Sequence, residues 1–299
     1  MKLKIFSRLS PKAKRLIKFY TLKVLGLMIL IAFAITTLFP YIYMVSNSFK
    51  STTEIVQNSF TFYFIPKEFT FSNYAKIFEI IPLHKGFINT FIVETLVLLV
   101  GTSTTCVAAF AFSRVKFAGR KVIFYILLSG MMVPFVAVLV PQYNAYQKLN
   151  LFDTLWPLII PGLFGNVGML FFMKQYADTI PTEIYEAAEI DGAGFFQIFM
   201  RIFLPLVKTA ILVQVIFWFL GIWNDFFGPD IYLPSLDNKT LQVMIRYFSA
   251  DASGGGGGTL KYQPYVMAAS VLSSIPTIIV YVCFQKYFVN TFVSAGIKG

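Results

Sequence analysis

The chain has 299 residues, of which 57% are hydrophobic and only 13% charged, so its composition excludes an ordinary soluble globular protein. Uncharged runs of about 20 residues are long enough to cross a bilayer as helices, and they predict an all-α membrane protein. The net charge of +11 does not indicate nucleic-acid binding, because the basic residues flank apolar runs and do not line a soluble surface.

The first uncharged run lies between Lys23 and Lys50 and is long enough to span a membrane. Residues 1–23 carry eight Lys or Arg and no acid, and no small-residue cleavage site follows the run. We therefore interpret 1–23 as a basic cytoplasmic segment in front of an uncleaved anchor, and 24–299 as a transmembrane domain. A basic amphipathic helix on the membrane surface is the alternative for the segment.

Five further apolar runs predict a total of six transmembrane helices. The loop 45–87 after the first run mixes aromatic and charged residues, and we expect it to form an ordered cap. Both termini are predicted to be cytoplasmic, because 17 of the 25 Lys and Arg then lie on the cytoplasmic side. The runs are bounded by Lys85 and Arg114, Lys121 and Lys148, Asp153 and Lys174, Lys208 and Asp225, and Lys261 and Lys286.

Two local features modify this picture. Pro134 and Pro141 interrupt the third predicted span, which indicates a kink beside a cavity or a neighbouring helix. Five consecutive glycines at 254–258 precede the sixth span and predict a flexible segment. They do not form a phosphate-binding loop, because no Gly-Lys-Ser/Thr sequence follows them.

The stretch EAAEIDGAGFFQIFMRIFLP is the most polar part of the segment between the fourth and fifth spans. We expect a helix from about Glu183 to Asp191, with acids in the first turn and a stop at Gly192. Ala187 and Ala188 fall on one narrow face that lets a partner approach closely. A second short helix should follow, with Pro205 opening the fifth span. An ordinary surface hairpin is the alternative interpretation.

The spacing within this stretch resembles a known loop. Glu186-Ala187-Ala188, three residues, Gly192, nine residues, and then Ile202-x-Leu204-Pro205 resemble the cytoplasmic EAA loop of bacterial ABC importer permeases. The fuller EAAxxDGA form is typical of carbohydrate permeases, the class that includes the smaller membrane subunit of the maltose transporter. Residues 108–120, 221–233 and 267–299 also resemble that family. The resemblance implies the type I ABC importer permease fold.

The resemblance also implies a function and a set of partners. The coupling loop 176–204 would dock on a cytoplasmic ATPase, and ATP and Mg would be bound by that partner, so this chain needs no cofactor. Further implied partners are a second homologous permease, a second ATPase subunit, an extracytoplasmic solute-binding protein and membrane lipid, all at the bacterial cytoplasmic membrane. The coupling residues implied are Glu186, Ala187, Ala188, Asp191, Gly192, Ala193, Leu204 and Pro205.

Polar residues inside apolar runs are costly and often functional, so they are the candidates for a translocation pathway. Each also has a structural alternative, because such a side chain can hydrogen-bond a neighbouring helix or lie at the interface in water. Asp225 belongs to the same group, and the aromatic rings of Phe164 and Trp223 could stack on sugar rings. The candidate residues of the translocation pathway are Glu94, Asn166, Gln214, Trp223 and Asn224.

Three other functions remain open from the sequence. A permease for another solute, such as a peptide or phosphate, would show the same loop. A membrane-embedded enzyme would need a cluster of catalytic groups, which the single histidine His84 and the isolated Cys106 and Cys283 do not supply. A scaffold or receptor would show no ATP-stimulated flux. The absence of a Walker A motif argues that this chain does not bind ATP itself.

Overall fold

The computed structural model describes residues 11–58, 63–253 and 258–296, and every regular element in these ranges is helical. This confirms the all-α prediction for the described chain. The glycine run lies outside these residues apart from Gly258, which begins the last helix. The α-helices are α1 Pro11–Ser48, α2 Thr52–Gln57, α3 Ser72–Ile80, α4 Leu83–Leu96, α5 Thr102–Arg114, α6 Arg120–Gly130, α7 Phe135–Lys148, α8 Trp156–Leu163, α9 Val167–Asp178, α10 Glu183–Ile190, α11 Phe195–Ile198, α12 Leu204–Trp223, α13 Phe227–Tyr232, α14 Leu241–Ser253 and α15 Gly258–Gly296.

Five helical segments of the described chain are long and apolar enough to cross a membrane. Helices α6 and α7 together are also long and apolar enough to cross a membrane, but they meet at a bend of 92°. Counted as one broken span, they bring the total to six. The bend contains Pro134, where the sequence predicts an interruption, whereas Pro141 lies within α7. The five segments are Arg15–Ser48, Leu83–Arg114, Trp156–Asp178, Phe195–Trp223 and Lys261–Lys286.

The start of the fifth predicted span differs from the sequence-based expectation. Pro205 is the second residue of α12, as predicted, but Phe195–Trp223 forms one helical segment of 29 residues that begins ten residues before it. A π-helical turn, Phe199–Phe203, joins α11 to α12 immediately before the proline. Proline lacks the backbone N–H that a regular α-helix needs, and such local π-helical adjustments allow a membrane helix to continue past it.

The loops gather at two ends of the bundle. At one end, Arg114 donates to the carbonyl of Ile180 at 2.9 Å, which joins the end of α5 to the chain after α9. At the other end, Lys85 pairs with Asp237 at 2.8 Å, and the chain around Asp153 meets residues 232–238. We name these the inner and outer ends, after the orientation predicted from the basic residues.

The outer end carries the ordered cap predicted for 45–87, as far as the structure describes that loop. Asn73 donates from its amide to the carbonyls of Ser48 and Lys50 at 2.8 and 2.9 Å. The Glu54 carboxylate accepts the backbone N–H of Lys67 at 2.8 Å. Burial lowers the pKa of Lys50 from its ordinary value, with Glu54 opposing the shift. The cap is therefore tied to the end of α1 by buried polar contacts.

Candidate functional site

The inner end presents a short helix followed by a glycine turn, at the position that the sequence predicts. Helix α10 ends in a Schellman motif: the N–H of Gly192 bonds to the Glu189 carbonyl at 3.0 Å, and that of Ala193 to the Ala188 carbonyl at 2.9 Å. Gly192 has a φ of +84°, which a side chain disfavours, although the space around its Cα is open. The requirement for glycine is therefore conformational and does not come from crowding.

Most of α10 faces away from the bundle. Glu186, Ala187 and Asp191 are exposed, whereas Ala188 and Ala193 are half-buried and pack on the inner hydrophobic core. Ile190 on the same helix is 85% exposed. The result is a surface of acids beside bare apolar groups, which is typical of a face that a partner covers.

Tyr185 and Arg114 attach α10 to the bundle, in addition to the packing of Ala188 on the inner core. Tyr185 is 4% exposed and packs in the inner core. The Arg114 guanidinium lies 4.2 Å from the centre of the Tyr185 ring, and it also donates to the carbonyls of Ala177 and Ile180. Burial raises the pKa of Tyr185, with Arg114 opposing that shift. Arg114 of α5 thus contacts both the end of α9 and the exposed helix α10.

Sequence reasoning missed Arg114 and Tyr185 as site residues. Arg114 entered only as one of the basic residues that indicate orientation, and Tyr185 immediately precedes Glu186, the first residue of the recognised motif. The signal available was a lone arginine at the end of an apolar run, where its long side chain can reach the carbonyls that end a neighbouring helix. Leu204 and Pro205, the last two coupling residues of the motif, lie in α12, where Leu204 packs on the inner core and Pro205 is exposed.

Two of the pathway candidates are acidic or amide side chains buried inside the bundle. Glu94 on α4 is 3% exposed and Gln214 on α12 is 0% exposed. Neither Glu94 carboxylate oxygen has a hydrogen-bond partner within the described chain, and the same holds for both polar atoms of the Gln214 amide. Buried polar groups without partners are uncommon and cluster at functional sites. The roles of Glu94 and Gln214 in a translocation pathway stay predictions.

The other three candidates occupy different environments. Trp223 is 1% exposed, stacks on Phe219 and donates its indole N–H to the Ser273 carbonyl at 3.0 Å. Asn224 ends α12 on the outer side and is exposed. Asn166 is the N-cap of α9, where its side chain accepts two backbone N–H groups. The structure therefore does not gather the five candidates into one site.

An apolar cavity of about 550 Å³ opens beside α4, α7, α8, α12 and α13. Its few polar groups include Gln142 and Tyr232, joined by a hydrogen bond of 3.1 Å, and the Asp225 carboxylate. Asp225 accepts the backbone N–H groups of Phe227 and Gly228. Burial raises the pKa of Asp225, and those two bonds oppose the shift. Such a cavity has the size and lining of a small-molecule site.

The bundle of membrane-length helices defines a polytopic membrane protein, and one anchored but exposed helix lies at its inner end. Residues 101–293 match the family described as binding-protein-dependent transport system inner membrane component. The match covers more than half of the chain, so the chain belongs to this family, the permease component of such systems.

Curated relatives of similar length agree with this assignment. The diacetylchitobiose uptake system permease protein NgcG of Streptomyces coelicolor is 31% identical, over 86% of this chain and 83% of its own. The arabinooligosaccharides transport system permease protein AraQ of Halalkalibacterium halodurans is 29% identical, over 89% and 93%. The inner membrane ABC transporter permease protein YcjP of Escherichia coli is 31% identical, over 89% and 93%.

Solved structures share the fold. A chain in the crystal structure of a bacterial ABC transporter involved in the import of the acidic polysaccharide alginate matches with a TM-score of 0.78 and 25% identity, over 94% of this chain and 99% of that chain. A chain of the alginate transporter bound to a pentasaccharide-loaded periplasmic protein matches with a TM-score of 0.63 and 19% identity. The second match, at that identity, concerns the fold alone.

Proposed function

We propose that this chain is the membrane permease subunit of an ATP-driven ABC importer that passes an oligosaccharide delivered by an extracytoplasmic binding protein. The observation that carries the proposal is α10, an exposed acidic and apolar helix held to the bundle through Tyr185 and Arg114. Family membership supports the transport role. The substrates named for the relatives, diacetylchitobiose and arabinooligosaccharides, support a carbohydrate.

The proposed orientation places both termini in the cytoplasm, with the inner end facing that compartment of a bacterium. The proposed partners are a second homologous permease, two cytoplasmic ATPase subunits and the solute-binding protein. ATP and Mg would be bound by the ATPase subunits, because this chain carries no Walker A sequence. A permease for a non-sugar solute is the second candidate, since the loop itself does not report the solute.

In the proposed mechanism, α10 docks on an ATPase subunit and follows its movement when ATP binds. Exposed Glu186 and Asp191 accept hydrogen bonds or pair with cations of the ATPase. Exposed Ala187 permits close approach. Displacement of α10 pulls on Tyr185 and, through the Arg114 guanidinium, on the ends of α5 and α9. The cycle of the ATPase is thereby converted into movement of transmembrane helices.

The test is copurification followed by transport. Tagged wild-type chain is purified from membranes of its own host beside Glu186→Lys, with Glu79→Lys as the matched control. Glu79 is an exposed acid of α3 at the outer end, so the control makes the same charge change away from α10. We expect the ATPase and a second permease with the wild type and the control, and loss of the ATPase with Glu186→Lys.

The copurified complex is then reconstituted with its binding protein and ATP, and uptake of labelled oligosaccharides, peptides and phosphate is compared. Saccharide uptake that depends on ATP and on the binding protein supports the proposal. Uptake of peptide or phosphate alone would establish the second candidate. Absence of an ATPase from the wild-type preparation would overturn the importer function altogether.

A further inference from the structure

A second cavity lies at the outer end, between the end of α12, α14 and the start of α15. Its volume is about 450 Å³, within the usual range for small-molecule sites. Asn224 and Phe226 line one wall, Gln242 and Arg246 of α14 a second, and Ser270 of α15 a third. Ser270 lies nine residues beyond Lys261, or about 13 Å along a helix.

Arg246 is the one charged residue among the described residues that line the cavity. Arg246 is exposed and holds its guanidinium 4.5 Å from the centre of the Phe226 ring. None of the described residues that line the cavity is acidic. A guanidinium supported by an aromatic face is kept in place and presents a planar fork of N–H donors, which matches a carboxylate better than it matches a hydroxyl. The cavity beside α13, by contrast, contains the Asp225 carboxylate.

The neutral polar groups of this cavity are fixed by the fold. The Asn224 amide donates to the Leu220 carbonyl at 2.8 Å, and the Gln242 amide donates to the Ser273 hydroxyl at 3.0 Å. Ser273 also accepts the indole N–H of Trp223 on its carbonyl. The walls contributed by α12, α14 and α15 are therefore linked through one residue. A set of oriented amides and hydroxyls beside an aromatic ring suits the hydroxyl groups and apolar face of a sugar.

We propose that this cavity is a binding site for an acidic sugar, in which Arg246 holds the carboxylate of a uronic acid residue of the transported oligosaccharide. The proposal rests on the proposed carbohydrate function and narrows it to an anionic substrate. Asn224, Gln242 and Ser270 bind ring hydroxyls, and Phe226 positions the guanidinium. An anionic phospholipid headgroup would also suit an arginine, and Ile245 and Val266 also line the cavity, but Asn224, Gln242 and Ser270 offer neutral hydrogen-bonding groups that match sugar hydroxyls and not acyl chains.

The experiment uses the full complex in proteoliposomes with its binding protein outside and ATP inside. The labelled probes are trimers of galacturonate, mannuronate and guluronate, the neutral trimers maltotriose and xylotriose, and the uncharged methyl ester of the best acidic trimer. The variants are Arg246→Gln, Arg246→Lys and, as the matched control, Lys261→Gln. Lys261 is an exposed cation at the start of the last span that does not line the cavity.

We expect the wild type to take up an acidic trimer and Arg246→Gln to lower that uptake about tenfold. Arg246→Lys should retain part of the uptake, because lysine keeps the positive charge but lacks the planar fork of the guanidinium. Lys261→Gln should match the wild type, and the methyl ester should be taken up poorly by all variants. Asp251→Asn is added because Asp251 is the next acid along the chain. If the role of Arg246 were to form an ion pair with Asp251, Arg246→Gln and Asp251→Asn would lower uptake equally for every probe. That result would overturn the proposal.

Other outcomes separate this proposal from the function on which it rests. Uptake of a neutral trimer and of no acidic one overturns the acidic-sugar site and leaves the carbohydrate importer intact. Uptake of no saccharide overturns both. Equal losses with Arg246→Gln for an acidic trimer and its methyl ester would show that charge is not recognised. If the variant changes only the dependence of uptake on phosphatidylglycerol in the vesicles, the cavity binds lipid and the proposal fails.

Discussion

The two ends of the bundle are held together in different ways. At the outer end, several independent contacts tie neighbouring loops, including the pair Lys85 and Asp237 and the bonds of Asp153 to Ser235. At the inner end, α10 has an exposed surface and depends largely on Arg114 and Tyr185. Under the proposed coupling role, the inner end follows a moving partner and needs few attachments, whereas an end that shapes a cavity gains from many.

The largest expected effect comes from removing the inner anchor. Arg114→Ala deletes the cation stacked on Tyr185 and the bonds to the carbonyls of Ala177 and Ile180. Hydrogen bonds from charged groups contribute about 1.5–3 kcal/mol each, so we expect ATP-driven uptake to fall at least about tenfold. Hydrogen exchange of residues 183–190 should accelerate, because α10 loses its attachment.

Lys116→Ala is the control for this variant. Lys116 is an exposed cation two residues further along the chain, so its removal changes the same charge without touching α10. We expect wild-type uptake and wild-type exchange. If Arg114→Ala left the exchange of α10 unchanged, the helix would be held by its apolar contacts alone, and the contrast between the two ends would be lost.

A smaller effect is expected at the glycine turn, where two neighbouring positions form a matched pair. Gly192 has a φ of +84° and Gly194 a φ of −77°, and neither has an atom near the place that a Cβ would occupy. Gly192→Ala should cost about 1–2 kcal/mol of backbone strain and lower uptake several-fold, with Gly192→Asn milder because asparagine tolerates this conformation. Gly194→Ala should be nearly neutral.

Two measurements test Gly192→Ala against Gly194→Ala: the rate of uptake, and the number of ATP molecules hydrolysed for each solute transported. A strained end of α10 should lower uptake more than hydrolysis, because the ATPase still turns over while the helix follows it poorly. Equal defects in Gly192→Ala and Gly194→Ala would mean that the partner surface rejects any added methyl group, and that the left-handed turn is not the cause.

The inner helix could be predicted from the sequence almost to the residue, whereas the outer cavities could not. A short helix with acids in its first turn and glycine after its last turn is defined by local rules. Arg246 meets Phe226 and Asn224 only because α12, α14 and α15 pack together, and no local pattern contains that information. Arg114 was missed for the same reason, since Tyr185 lies far from it in sequence. Pro205 lies in the first turn of α12, as predicted, but the helical segment begins earlier, at Phe195, because a π-helical turn joins α11 to α12.

The smallest expected effect tests the outer end through Asp153. Burial alone would raise the pKa of this carboxylate, but hydrogen bonds from Ser235 and Asn238 and the charge of Lys239 outweigh it and hold the pKa below its ordinary value. A lowered folded-state pKa stabilises the fold above the unfolded pKa of about 3.9, and this stabilisation is lost as the pH falls through the folded value. Asp153→Asn should therefore lower the melting temperature at pH 7 by a few degrees.

Asparagine suits the positive φ of +59° at this position, so the variant changes the charge without straining the backbone. The melting difference between wild type and Asp153→Asn should stay constant from pH 7 to about pH 5 and shrink towards pH 3. Asp237→Asn breaks a pair whose side chains are 42% and 67% exposed, so it should change the melting temperature less. A larger loss with Asp237→Asn would place the stability of the outer end in its surface ion pair, and the hydrogen bonds of Asp153 would then contribute little.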